Sequence, residues 1–221
     1  MRVPRYVSLV VLCVAGCAAP AQRAYVWRVE ALALLQTLNA ADLLSHDSAT
    51  STLENWCAEH RLADPPRLIA RRVRDAIKPI PDDLRARLSV DAGEPIAYRH
   101  VQLVCGEQVL SEAYNWYVPS RLTVEMNQQL DTTDEPFGKV VRPLGFQRRT
   151  SSVELLWSPL PKGWELQAGK ATQESMQIPR AVLHHDAVLY TSAQVPFSAV
   201  AETYQNGLFA FGRWQQYLET H

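Results

Sequence analysis

The chain has 221 residues, of which 47% are hydrophobic and 20% are charged, and its formal net charge is -1. This composition is typical of a globular protein with one well-packed domain, and it excludes a disordered chain. The near-neutral charge gives no electrostatic basis for binding nucleic acid, so no nucleic-acid partner is predicted. The basic run of Arg71, Arg72 and Arg74 lies among aspartates, which is typical of a solvated strand face.

The first residues have the pattern of a bacterial export signal. Arg2 and Arg5 precede an apolar run over 6–14, which is too short to span a membrane. The run ends in Val-Ala-Gly-Cys at Cys17, which resembles a lipobox and implies lipidation of Cys17 and a lipid anchor at the periplasmic face of the outer membrane. Residues 1–17 would then be the signal peptide, 18–23 a tether and 24–221 one domain. The alternative is a cytoplasmic protein with an apolar first strand.

Two helices are predicted next. Apolar residues recur at helical spacing from Tyr25, which predicts an amphipathic helix to about Leu44. Ser51 and Glu54 have the spacing of a capping box, which predicts a second helix that ends near His60.

The rest of the chain predicts strands interspersed with short helices. The predicted strands are 67–74, 98–105, 109–118, 146–157, 181–191 and 197–204. The predicted helices are a short one that Asp82 or Asp83 caps and that ends at Leu88, one from Thr123 to Leu130, and a C-terminal one over 209–217. The predicted fold is therefore a single α+β domain, with one mostly antiparallel sheet of about six strands and helices packed mainly on one side.

The clearest pair of strands is a hairpin with a tight turn at Gly106–Glu107. Arg99 alternates with Val101 and Leu103 on one face of the first strand, whereas His100 is on the opposite face. A guanidinium among apolar neighbours must meet an anion or reach solvent, because an unpaired buried charge is costly. Arg99 is therefore either an anion ligand or a strand-end side chain that extends to water.

Cys57 and Cys105 are the cysteines outside the N-terminal segment. They would pair in an oxidising compartment, and two buried thiols fit the sequence equally well. There is no Cys-x-x-Cys pair, which argues against a structural zinc site. Adjacent His184 and His185 point to opposite faces of a strand, so they do not predict a metal site.

The order and spacing of the motifs resemble the chorismate lyase family. The stretches that carry the resemblance are the turn Asp47-Ser-Ala-Thr50, the hairpin over 98–119, the helical 121–130 and the stretch Asp134-Glu-Pro-Phe-Gly138. The resemblance covers the chain from about Trp27 to about Phe211. It implies the fold of that family and the elimination of pyruvate from chorismate to give 4-hydroxybenzoate or a related hydroxybenzoate, a step of ubiquinone biosynthesis that needs no cofactor.

A second hypothesis keeps the fold but not the reaction. It is a non-catalytic envelope lipoprotein that binds an aromatic acid, and it follows from the export signal, because chorismate is made in the cytoplasm. Both hypotheses give the chain a small-molecule aromatic acid as its partner, and neither fixes the oligomeric state.

The resemblance also implies two catalytic residues. Arg99 is expected to bind the ring carboxylate. It is preferred because it shares a face with apolar neighbours, and this alignment with the family allows one extra residue in the hairpin. If the hairpin is aligned with the family without that extra residue, His100 takes the position instead. Glu202 on the last strand is expected to handle the proton. The alternative for Glu202 is a strand-end carboxylate in solvent.

Three further residues complete the implied substrate site. The backbone N–H groups of Ala49 and Phe137 are expected to donate hydrogen bonds to the substrate, as in the family. Asn115 stands where the family has a second arginine near the pocket entrance, which makes binding of the pyruvyl carboxylate an open question.

Overall fold

The structure is a computed structural model that describes residues 20–45, 48–74, 78–166 and 175–219. The predicted signal peptide, including Cys17, and Asp47 of the Asp-Ser-Ala-Thr turn lie outside the described residues. The lipidation of Cys17 therefore stays a prediction. No helix in the described ranges is long and apolar enough to cross a membrane.

Six antiparallel strands form one sheet, which confirms the predicted α+β architecture. They are β1 (Leu68–Arg72), β2 (Ala97–Cys105), β3 (Gln108–Tyr117), β4 (Gln147–Leu155), β5 (Ala181–Tyr190) and β6 (Pro196–Gln205). Their order across the sheet is β1-β2-β3-β6-β5-β4, so β1 and β4 form the two edges. The β2–β3 hairpin turns at Gly106, whose φ of +57° is a conformation that glycine adopts without strain.

The helices lie mainly on one face of the sheet, as predicted. They are α1 (Pro20–Gln36), α2 (Ala49–Glu59), α3 (Leu84–Arg87), α4 (Val124–Thr132) and α5 (Phe137–Val140). α1 continues directly into a π-helical segment, Thr37–Leu43. The short α3 is the exception, because Leu84 packs with Trp116 and Ala199 on the opposite face.

The main core lies between α1, α2 and the helix-facing side of the sheet. Leu35 and Leu53 come from the helices, and Val101 and Tyr204 come from the strands. Burial of this apolar surface is the dominant favourable contribution to folding. Beside this core a disulfide joins Cys57 of α2 to Cys105 at the end of β2, with Cα atoms 6.3 Å apart. Of the two alternatives that the sequence left open for these cysteines, the structure has the disulfide.

Two predicted elements are wrong in detail. Ser48, not Ser51, is the N-cap of α2, because the Ser48 Oγ accepts a hydrogen bond from the Ser51 N–H at 3.2 Å. The C-terminal helix is replaced by two 3-10 segments, Asn206–Phe209 and Gly212–Tyr217. Gly212 has a φ of +50°, a left-handed conformation that interrupts a right-handed helix.

Candidate ligand-binding pocket

A pocket opens between the helix layer and the centre of the sheet. It has an empty volume of about 450 Å³. Most of its wall is apolar and comes from strands of the sheet, from the start of α5 and from the residue before β4. The residues of this apolar wall include Val101, Leu103, Phe137, Phe146 and Leu189.

Strand periodicity explains why the sheet residues of the pocket meet. Ala113 of β3 lies directly between Val101 of β2 and Glu202 of β6 in the strand register. Side chains at alternate positions share a face, so Asn115 and Val200 also face the helices. The small side chain of Ala113 at the centre of this group leaves the space that the pocket occupies.

The starts of α2 and α5 form the polar side of the pocket. Ala49 and Thr50 lie in the first turn of α2, and Phe137 begins α5. The first N–H groups of a helix have no partner within the helix, and the dipole of the 11-residue α2 favours an anion at its start, whereas the four-residue α5 supplies N–H donors only. A Cβ atom on Gly138 would lie 2.8 Å from the Thr50 Oγ1 and 3.2 Å from the Ser48 Oγ. Glycine at this position therefore lets the two helix starts approach each other.

A buried ion pair also lines the pocket. Arg148 Nη1 lies 3.4 Å from Glu202 Oε2, and the two side chains are only 5% and 3% exposed. Glu202 Oε1 accepts a hydrogen bond from Ser111 Oγ at 2.8 Å, and Oε2 accepts one from Tyr204 Oη at 3.1 Å. Donors therefore contact both oxygens of the carboxylate.

The pair also shifts the pKa values of its neighbours. Burial lowers the pKa of Arg148, but nearby Tyr204 and Glu202 raise it by more, so its pKa is above the usual value. Burial, and then the Glu202 charge, raise the pKa of Tyr204 well above its usual value. Arg148 is therefore a fixed cation, and Tyr204 remains a neutral hydrogen-bond donor at neutral pH.

His185 lies opposite Glu202 in the β5–β6 register and is fully buried. Its Nε2 is 2.8 Å from Oδ1 of Asn39 in the π-helical segment, and its Nδ1 has no hydrogen-bond partner among the described residues. Burial, and then the charge of Arg148, lower the pKa of His185 to about 4. The imidazole is therefore neutral at physiological pH and adds no second positive charge beside Arg148.

Four of the predicted site residues line the pocket: Ala49, Asn115, Phe137 and Glu202. Asn115 is 4% exposed, and its side-chain amide forms no hydrogen bond with another described residue. An amide that lines a pocket without a protein partner can form hydrogen bonds with a ligand or with water. Asn115 is therefore a polar group that a pocket ligand would engage.

Arg99 lies beside the pocket but not in its lining. It is opposite Asn115 in the β2–β3 register, 5% exposed, and its Nη2 donates to the Glu135 carbonyl at 3.1 Å. Its Nε and Nη1 have no hydrogen-bond partner among the described residues. Burial, and then the charge of Arg72, lower the pKa of Arg99 to about 10, so the side chain stays charged at neutral pH. The structure thus has this side chain buried, not extended to water.

His100 lies on the face of the sheet away from the pocket. Its Nε2 is 2.8 Å from Glu112 Oε1, and its ring stacks on Tyr114. Adjacent residues of a strand point to opposite faces, so His100 faces away from the helices because Arg99 faces them. The structure therefore does not bring His100 together with the other predicted site residues.

Sequence reasoning missed Arg148. The sequence contains a signal for it, because Arg148 and Arg149 are adjacent on a strand and one of two adjacent side chains must face the helices. An inward arginine needs a buried acid, and Glu202 was the acid already singled out on the last strand. No cluster of three or more potential metal ligands occurs in the described part of the chain.

Comparison with known proteins gives one clear sequence relative. The uncharacterized protein y4mC of Sinorhizobium fredii (strain NBRC 101917 / NGR234) is 51% identical over 187 residues, which cover 83% of this chain and 78% of y4mC. No protein-family model matches the sequence.

Solved structures with a similar arrangement are effector domains of regulators. The effector domain of PhnF from Mycobacterium smegmatis matches 79% of this chain and 95% of its own, with 14% identity and a TM-score of 0.46. The ligand-binding domain of a GntR-family transcriptional regulator from Bordetella bronchiseptica matches 63% of this chain and 83% of its own, with 17% identity and a TM-score of 0.40. Similarity at this level is loose, and no function is transferred from it.

These comparisons correct the predicted family and function. No family model matches the sequence and the sequence relative is uncharacterized, so assignment to the chorismate lyase family is wrong, together with the pyruvate elimination and the place in ubiquinone biosynthesis. The alternative, an aromatic-acid-binding envelope lipoprotein, has no support in these comparisons either, and the lipid anchor at Cys17 stays a prediction. The motifs misled because Ser-Ala-Thr and Pro-Phe-Gly mark the starts of α2 and α5, which are features of local structure and not of a reaction.

The relation to y4mC extends through most of both chains. An identity of 51% over 83% of this chain is far above what a shared architecture alone requires. The chain therefore belongs to the same family as y4mC of Sinorhizobium fredii.

Proposed function

We propose that this chain is a ligand-binding domain that holds a small organic acid in the pocket and does not convert it. The observation that carries the proposal is the convergence of two helix starts, the unengaged amide of Asn115 and the cation of Arg148 on one mostly apolar pocket. The volume of about 450 Å³ is within the range of sites for small metabolites.

The polar side of the pocket suits a carboxylate. The N–H groups at Ala49 and Phe137 supply hydrogen-bond donors, and the start of α2 favours an anion. Asn115 adds an amide, and Arg99 lies next to it with two unengaged nitrogens, so a modest side-chain rotation would bring a second cation to the ligand. Binding of the acid by these four residues remains part of the proposal.

The apolar wall would hold the rest of the ligand. Phe137 and Phe146 contribute rings, and Val101, Leu103 and Leu189 contribute aliphatic surface. Such surfaces favour a flat hydrocarbon group, because burial of apolar area stabilises the complex and ring contacts add to it. An acid that carries an apolar group is thus the finer part of the proposal.

The contacts of Glu202 support binding without catalysis. A general acid or base needs a carboxyl group that can exchange a proton with the ligand. Ser111, Tyr204 and Arg148 already contact both oxygens of Glu202. We therefore propose that Glu202 holds Arg148 in position, in place of the catalytic role that the sequence suggested.

The direct test is calorimetric titration and thermal unfolding of the full chain with a panel of small carboxylic acids, each matched with its neutral amide. A bound acid at 100 times its Kd stabilises the fold by about 2.7 kcal/mol, which raises Tm by roughly 5–10 °C. The matched amides should give little change, because they lack the negative charge that the start of α2 and the cation of Arg148 favour. Equal effects of acid and amide, or no effect of any acid, would contradict the proposal.

Two glycine variants provide a matched pair for the same assay. Gly138→Ala puts a methyl group 2.8 Å from the Thr50 Oγ1, so it must separate the helix starts and weaken acid binding by about tenfold or more. Gly93→Ala is the control, because nothing lies within 4 Å of its Cβ position. The proposal fails if both variants bind the acid as tightly as the unmodified chain.

A further inference from the structure

The two edges of the sheet differ in how their backbone is covered. On the β1 edge, the Ala70 N–H donates to the Asp134 carbonyl at 2.7 Å, so the segment before α5 covers that strand. On the β4 edge, no described segment hydrogen-bonds to the side of the strand that faces away from β5. An uncovered edge strand is a template for pairing with another strand.

Several exposed side chains at the end of β4 are apolar, which is unusual for an edge strand that contacts only solvent. Every residue from Ser151 to Leu155 is exposed. Val153 and Leu155 are 43% and 40% exposed, and Leu156 immediately after the strand is 41% exposed. Edge strands that stay unpaired are commonly short or carry inward charges or prolines. β4 has one inward charge, Arg148, but its exposed end carries Val153 and Leu155 and has no proline.

A bulge in β4 makes the strand complementary to itself. Arg149 lies opposite Val188 of β5 and Glu154 lies opposite His184, and those two β5 residues share a face. Arg149 and Glu154 therefore also share a face, although five residues apart they would lie on opposite faces of a regular strand. The extra residue of the bulge, between Thr150 and Ser152, makes the difference.

This geometry fits a two-fold axis through the middle of β4. When two copies of the strand run antiparallel about an axis between Ser151 and Ser152, Arg149 of each copy lies opposite Glu154 of the other. Thr150 of each copy then lies opposite Val153 of the other copy, and both side chains are on the helix-facing side of the sheet. The residues at the axis are serines, so no bulky side chain prevents the approach.

We infer that β4 is a homodimer interface, at which two copies of the chain pair their β4 strands and join two six-stranded sheets into one continuous sheet. The occupant is a second copy because the charges match pairwise about the axis and because the helix layers of both copies stay on the same side. The inference goes beyond the proposed ligand binding and does not depend on it.

Sedimentation equilibrium of the full chain over a range of concentrations tests the interface. We expect a reversible dimer. Arg149→Glu and Glu154→Arg each turn two attractive cross-strand pairs into repulsive ones, which should raise the dimer Kd by about tenfold or more. The double variant restores opposite charges in swapped positions, and its Kd should return close to the original value. Arg71→Glu is the control, an exposed arginine on the opposite edge strand.

Hydrogen exchange on the unmodified chain gives a second readout that does not depend on how the variants fold. The amides of β4 should exchange more slowly at high than at low protein concentration, and those of β1 should not change. A chain that is monomeric at all concentrations would overturn the inference. A dimer that is indifferent to both single variants, or whose protection maps away from β4, would overturn it as well.

Discussion

Glu202→Gln removes one charge of the buried ion pair and keeps the shape of the side chain. The single amide oxygen can accept the hydrogen bond from Ser111 or the one from Tyr204, so the substitution removes the counter-charge of Arg148 together with one accepted hydrogen bond. The Arg148 side chain is 5% exposed and cannot reach bulk water without disrupting the sheet.

The expected cost follows from the burial of that cation. Leaving one partner of a buried ion pair without its counter-charge destabilises a protein by about 3–5 kcal/mol. The exposed pair Arg67–Glu135 is the internal reference, because its side chains are 63% and 36% exposed although its atoms are 2.6 Å apart. Glu135→Gln should cost no more than about 1 kcal/mol, since solvent screens an exposed pair.

Urea unfolding at neutral pH without ligand measures both costs. A third variant combines Glu202→Gln with Arg148→Leu, and it should recover most of the loss because no unpaired charge remains. The reasoning is refuted if Glu202→Gln is no more destabilising than Glu135→Gln. It is also refuted if the combined variant is less stable than Glu202→Gln alone.

Three further changes have defined outcomes. The pKa of His185 is lowered to about 4 in the folded chain, whereas the unfolded group titrates near 6.5. The free energy of unfolding should therefore fall by about 3 kcal/mol as pH falls from about 6.5 to about 4. His185→Gln, compared with the unmodified chain by urea unfolding at both pH values, should lose that part of the pH dependence. Reduction of the Cys57–Cys105 disulfide, which closes a loop of 48 residues, should cost about 4 kcal/mol in the same assay, and a cost near zero would contradict a closed loop. Asn115→Leu should weaken binding of an acid by about tenfold in calorimetry, and unchanged affinity would exclude Asn115 from the site.

The sheet could be predicted because strand periodicity is a local property. Alternation along the hairpin separated Arg99 from His100, and the structure has these side chains on opposite faces. Strand ends were also close, since turn residues such as Gly106 mark them in the sequence. The faces of the strands then determine which predicted site residues meet, and Asn115 and Glu202 do so in the pocket.

Other features depend on contacts that no local pattern encodes. The N-cap of α2 is ambiguous in sequence, because Ser48 and Ser51 are both capping residues and Glu54 pairs with Lys139 of α5 at 2.5 Å. The π-helical end of α1 has no sequence signature, and it is packing that brings Asn39 to His185. The pairing of Arg148 with Glu202 joins strands far apart in sequence, so only the sheet order reveals it.

Function was the least predictable level. Motifs at helix starts indicated a pocket with backbone donors, and the structure has the helix starts at the pocket. They did not indicate the family, because many unrelated proteins begin helices with Ser, Thr or Pro. Fold and function are separate inferences, and a site must be argued from its own residues.

Titration of the labelled chain by two-dimensional NMR tests the central claim most directly. A small organic acid that binds as proposed should shift the backbone amide signals of Ala49, Thr50 and Phe137 and the side-chain amide of Asn115 the most, because these groups surround the polar side of the pocket. The matched neutral amide should leave them in place. Shifts that fall elsewhere, or acids that produce none at millimolar concentration, would contradict the account of this pocket as an acid-binding site.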